Sequence, residues 1–99
     1  SMMTYSIFIH PDHDPEYVKK LIQSALDKSQ APYGFPPIKQ RQVFFHGLNE
    51  KGLEFLIRFN CFKSKTIIYK DIVLHNIHKT FFGNYHKNMP SLYKFSGRL

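Results

Sequence analysis

The stretch Arg41-Gln42-Val43-Phe44-Phe45-His46-Gly47-Leu48-Asn49-Glu50-Lys51-Gly52-Leu53-Glu54-Phe55-Leu56-Ile57-Arg58-Phe59-Asn60-Cys61-Phe62 decides the fold. Its second half alternates strictly: Leu53, Phe55, Ile57, Phe59 and Cys61 fall on one side, Glu54, Arg58 and Asn60 on the other, the period-two pattern of a half-buried strand. Its first half, Arg41 to Leu48, carries Val43-Phe44-Phe45 and reads as a partner strand. Between them Asn49-Glu50-Lys51-Gly52 is a turn whose closing glycine suits a left-handed backbone. The stretch therefore predicts an antiparallel hairpin.

Upstream of the hairpin, Ala31-Pro32-Tyr33-Gly34-Phe35-Pro36-Pro37 cannot continue a helix or a central strand, because three prolines lack amide donors. It is expected as an ordered, partly extended crossover. Before it, Val18, Leu21, Ile22, Ala25 and Leu26 recur at the spacing of one helix face. Asp14 is placed to accept from free backbone amides as the N-cap, and Pro15 suits the first helical position. Tyr5 to His10 holds Ile7 and Ile9 two apart and reads as the first strand.

Downstream, Ser64 to Thr66 opens a second helix in which Leu74, Ile77 and Phe81 recur, with Ile67, Ile72 and Phe82 flanking. Gly83-Asn84 reads as its stop. The β-branched run Ile67, Ile68, Ile72 and Val73 leaves an extended first turn as an alternative. Met89 to Phe95 is expected as an edge strand or a docking tail.

The order strand, helix, strand, strand, helix, with a short final strand, predicts a ferredoxin-like α+β sandwich: an antiparallel sheet with two helices on one face. Residues 5–85 form the single domain in this reading, 1–4 a tag remnant or flexible start, and 86–99 a tail or edge strand. Phe8, Phe44, Leu56 and Phe62 fall out of phase with the core set. The second face of the sheet is thus expected to be apolar, and such patches usually meet another surface.

Composition agrees with one domain. Ninety-nine residues with 42% hydrophobic and 16% aromatic side chains are too apolar for intrinsic disorder and too few for a second core. Apolar runs are short against the roughly 20 residues that span a bilayer. Cys61 is the single cysteine, so an internal disulfide is excluded and a reducing, cytoplasmic setting is the expectation. The formal charge of +7 is uneven: residues 1–29 hold three bases and four acids, whereas 62–99 hold seven bases and only Asp71 as an acid. Such an excess attracts nucleic acid or anionic lipid, shapes the ions of a vestibule, or simply solvates a surface.

Several pieces together resemble a known family. Ser6-Ile7-Phe8-Ile9 followed by Asp12-His13-Asp14-Pro15-Glu16-Tyr17-Val18 is similar to the strand and "D-T-D-P-E-x-V" entry of the C-terminal cytoplasmic domain of mechanosensitive channels of small conductance, the MscS type. Leu21-Ile22 and Ala25 fall on its leucine-rich helix, and Pro36-Pro37 on its "P-x-P" loop. Val43 to Phe59 resembles its "V-x-V-x-x-F-x-D-S-G-L-x-F-x-L-R-V" hairpin, and Leu74, Ile77 and Phe81 its final helix.

The resemblance implies a piece of a bacterial channel's cytoplasmic cage, on the cytoplasmic side of the inner membrane. In that family seven copies surround a vestibule through which ions pass, with a β domain and transmembrane helices upstream. The implied role is assembly and gating in osmotic protection, without catalysis, cofactor, metal or nucleic acid. Phe8, Phe44, Leu56, Phe62, Pro36 and Pro37 are then the candidates for contact with a neighbouring subunit or domain.

Other constellations have plainer readings. His75 and His78, three apart on a helix with Asp71 four before, have metal-ligand spacing but no convincing third ligand. His10, Asp12, His13 and Asp14 are read as a cap, a turn former and solvated histidines rather than an acid–base set. Cys61 is read as a structural thiol. No phosphate loop or nucleophile elbow appears, so an enzyme is not expected. The main rival is an RNA-binding module with a basic, aromatic sheet face, although its signature motif is missing. A regulatory ligand-binding domain of similar topology is the third option.

Overall fold

The computed structural model describes residues 1–87, with side chains to Gly83. Strand β1 (Met2–Ile9), helix α1 (Pro15–Lys28), strands β2 (Lys39–Asn49) and β3 (Gly52–Asn60), a 3-10 turn at Lys63–Lys65 and helix α2 (Thr66–Lys87) follow in that order. The three strands form an antiparallel sheet in the order β1-β3-β2. This is the expected α+β, ferredoxin-like arrangement. The final strand expected at Met89 to Phe95 lies outside the described residues.

The hairpin forms as its alternation requires. Asn49 pairs with Gly52 across the turn, and Gly52 takes a φ of 121°, where a side chain would be strained. Leu53, Phe55, Ile57, Phe59 and Cys61 are all buried. They meet Ile7 and Ile9 of β1, Val43 of β2, and the apolar stripes of both helices in one cluster on one side of the sheet.

Helix α1 begins as read. Asp14 Oδ1 accepts from the Glu16 amide (3.1 Å), and Pro15 opens the first turn. Val18, Ile22, Ala25 and Leu26 are buried, with Leu21 half-buried. The end of α1 is tied to both neighbours. Ser29 Oγ donates to the Ala25 carbonyl and accepts from Asn76 Nδ2 of α2 (2.9 and 3.0 Å). The Arg41 guanidinium donates to the Leu26 and Asp27 carbonyls (2.9 and 2.6 Å), satisfying orphan groups of the helix C-terminus, and to the Ile38 carbonyl (3.3 Å).

Three expectations need correction. Residues 2–4, read as a flexible start, are strand: Met2 pairs with Asn60, Met3 with Phe59 and Thr4 with Arg58. The stop at Gly83-Asn84 does not occur, and α2 runs on to Lys87; a helical glycine costs only about 1 kcal/mol relative to alanine. The buried stripe of α2 is Tyr69, Val73, Ile77 and Phe81, spaced by four, while Leu74 is half-buried and Ile67 is 82% exposed rather than flanking the core. The β-branched first turn is helix from Thr66, as the main reading has it, and not the extended alternative. Tyr69 fixes that turn by donating to the Pro36 carbonyl (2.7 Å) and setting its ring against Phe35.

Candidate functional site

Both helices cover one face of the sheet, and among the described residues the other face is helix-free. Register defines what it displays. Ser6, Leu56 and Phe44 form one row across the three strands, and Thr4, Arg58 and Gln42 another. Phe8 lies beside Glu54 and diagonal to Leu56. Phe8 and Leu56 are half-buried and Phe44 is 42% exposed, so these three make an apolar band. The bulge after Phe45, where Gly47 takes a φ of 124°, ends the band on β2.

The band is edged by a polar cluster that sequence reading missed. Ser6 Oγ donates to Glu54 Oε2 (2.6 Å) and Asn49 Nδ2 to Glu54 Oε1 (3.1 Å), so the carboxylate is held from two sides. Lys51 sets its ammonium 5.2 Å from the centre of the Phe8 ring. No local motif announces this cluster, because its members come from β1, β3 and the turn. The β1–β3 register together with the β2–β3 turn brings them together.

The six candidate contact residues divide into two groups. Phe8, Phe44 and Leu56 share the helix-free face. Phe62 lies past the end of β3, on the approach to the 3-10 turn, and is 47% exposed. With Pro36 and Pro37 it borders a cleft of about 350 Å³ at the opposite end of the sheet from the β2–β3 turn, where Lys39 and Lys63 supply the charge.

The titratable clusters take plainer positions. His10 Nδ1 lies 3.6 Å from Asp12 Oδ2, the histidine half-buried and the aspartate exposed. His13, expected as a solvated loop residue, is buried instead, its ring edge-on to His10 at 6.2 Å. His75 Nδ1 lies 3.5 Å from Asp71 Oδ2. His78 instead lies stacked against Phe82, with ring planes 12° apart. Among the described residues no three His, Cys, Asp or Glu side chains gather around one point. Cys61 is buried just past β3, and burial pushes its thiol up, away from the reactive thiolate. Among the described residues no helix is long and apolar enough to cross a membrane.

Comparison of the chain with protein-family models, with curated proteins and with solved structures gives no match.

Proposed function

We propose that this chain is the C-terminal cytoplasmic domain of a bacterial mechanosensitive channel of the MscS type, where it builds part of the oligomeric cage around the vestibule. The observation that carries the reading is the apolar band Phe8, Leu56 and Phe44 on a sheet face that neither helix covers. A domain whose work is assembly needs such a face, and the resemblance running from Ser6 to Phe81 supplies the family. The strand and helix order supports it, since each resembling segment falls on its own element. Phe8, Leu56 and Phe44 contact a neighbouring subunit or the upstream β domain. The clustered bases of the second half then bias the ions near the cage wall.

The RNA-binding alternative fits the same face poorly. Base stacking relies on aromatic platforms. The central strand β3 instead presents Leu56 between Glu54 and Arg58, and Glu54 is a fixed carboxylate that repels phosphate.

The test lies upstream of this segment in the open reading frame. The channel reading requires apolar spans of about 20 residues there, and deletion of the gene must lower survival of an osmotic downshock. A frame that encodes no such span overturns it.

A further inference from the structure

The end of the molecule where β3 passes into α2 combines exposed apolar and cationic side chains in one short run. Phe62 is 47% exposed, Ile67 82% and Ile68 37%, and Lys63 and Lys65 stand between them in the chain. Single exposed hydrophobic residues are ordinary. Three within seven positions, interleaved with two lysines, are not an ordinary solvated turn. Lys39 joins them across the cleft that Phe62 and Lys63 border.

Charge is segregated along the molecule in the same sense. Asp12, Asp14, Glu16, Glu50 and Glu54, five of the chain's seven acids, lie in the β1–α1 connection, the start of α1 and the β2–β3 turn region, at the far end of the sheet. No acid lies in the first turn of α2, so the positive end of that helix dipole adds to the lysines rather than being cancelled. Among the described residues none of Lys39, Lys63 and Lys65 is in an ion pair.

The chemistry of the run selects among partners. Lysine is depleted in protein–protein interfaces. Single-stranded nucleic acid asks for aromatic platforms, whereas two of the three bulky groups here are aliphatic. Bulky apolar side chains entering a headgroup layer, with lysine stems lying alongside and ammonium groups at lipid phosphates, match an anionic bilayer surface. We propose that the segment Phe62–Ile68, with Lys39, docks this domain on an anionic lipid surface, Ile67 and Phe62 entering the headgroup region. The inference goes beyond the channel reading and stands without it, because the assay below uses this chain alone while that reading is decided upstream.

The chain contains no tryptophan. An Ile67→Trp variant, at an exposed position that leaves the core untouched, is therefore a single reporter. Phosphatidylcholine vesicles with added phosphatidylglycerol are expected to shift its emission to the blue, and vesicles of phosphatidylcholine alone to leave it unchanged. Co-sedimentation of the natural chain follows the same pattern and weakens with added salt. The Lys63→Gln/Lys65→Gln double variant is expected to bind about 25-fold more weakly, at about fivefold per lysine. A Lys19→Gln/Lys20→Gln control on α1 lowers binding less. Equal binding to neutral vesicles, an equal loss in the control, or no blue shift would overturn the proposal. Quenching of the same tryptophan by polyuridylate without vesicle binding would overturn it in favour of nucleic acid.

Discussion

Replacing Tyr69 with Phe removes an oxygen that donates a 2.7 Å hydrogen bond to the Pro36 carbonyl, whereas replacing Tyr5 with Phe removes an oxygen with no partner at all. Both rings belong to the same apolar layer. Tyr69 is fully buried, and the Tyr5 ring is edge-on to Phe59 at 6.0 Å, with the Lys70 ammonium 5.2 Å from its centre. The two substitutions are chemically identical, so ring packing cancels in the comparison. An unsatisfied buried polar group costs of order 1–3 kcal/mol, and replacing it with an apolar group of the same shape recovers part of that cost. Tyr5→Phe is accordingly expected to stabilise the fold by about 1 kcal/mol, raising Tm by about 5 °C for a domain of this size. Tyr69→Phe is expected to lower Tm by a similar amount, since it breaks the tie between α2 and the proline loop.

Alkaline pH separates this explanation from simple packing. Burial, and secondarily the nearby Cys61, pushes the Tyr5 hydroxyl far above its ordinary value, so the folded state holds it neutral. A hydroxyl raised in this way leaves stability unchanged by pH below the unfolded value of about 10 and costs stability as pH rises above it, because the unfolded chain ionises there and the folded one does not. Urea titrations followed by circular dichroism at neutral pH and above pH 10 are the assay. Tyr5→Phe is expected to gain stability at neutral pH and to resist alkali better than the natural chain. A Tyr5→Phe variant that is less stable than the natural chain, with an unchanged alkaline limit, would refute the reasoning.

Arg41→Met removes two guanidinium bonds to the end of α1 and a third to the Ile38 carbonyl while keeping the stem, and is expected to cost about 2 kcal/mol in a urea titration. Asp14→Ala loses the N-cap of α1 and is expected to cost about 1 kcal/mol, with Asp14→Asn recovering most of it. Phe44→Ser, on the helix-free face, is expected to cost under about 1 kcal/mol in the isolated chain yet to weaken assembly of the full-length protein by sedimentation; equal effects on both would place Phe44 in the fold rather than in an interface.

Much of this architecture is legible because each element carries its own period. The alternation from Leu53 to Cys61 and the stripe Val18, Ile22, Ala25 and Leu26 hold in the structure residue by residue. What is not legible depends on partners distant in the chain. Met2 and Met3 have no strand pattern of their own and become strand because Asn60 and Phe59 stand opposite. In α2 the sequence pattern offers the phase of Leu74, Ile77 and Phe81. A stripe spaced by four, from Tyr69 to Phe81, competes closely with it, and the sheet selects between them. Arg41 reads as a strand residue, and only the folded chain brings the carbonyls of Leu26 and Asp27 within its reach. His13 likewise reads as a loop residue beside two acids and is buried by tertiary packing.

The candidate surfaces occupy different sides of the domain, and this makes their roles separable. The band of Phe8, Leu56 and Phe44 lies on the broad face opposite the helices, and the run Phe62–Ile68 lies at the end of the sheet. The outer edge of β1 is a third surface. From Met2 to Ile9 it carries no charge, proline or register shift, and among the described residues no strand pairs with it. The outer edge of β2, by contrast, carries Lys39 and Arg41 and is broken by two register shifts, with Gln40 in the left-handed region (φ of 54°) beside one of them. Charges and bulges of that kind discourage edge-to-edge pairing. The two edges are therefore unequal, and among the described residues only the β1 edge is free of features that discourage strand addition. Because Phe44 belongs to β2 and Ile67 to α2, substitutions at either leave that edge intact. Loss of assembly with Phe44→Ser, and loss of lipid binding with the Lys63→Gln/Lys65→Gln pair, would consequently report on two independent surfaces rather than on one weakened fold.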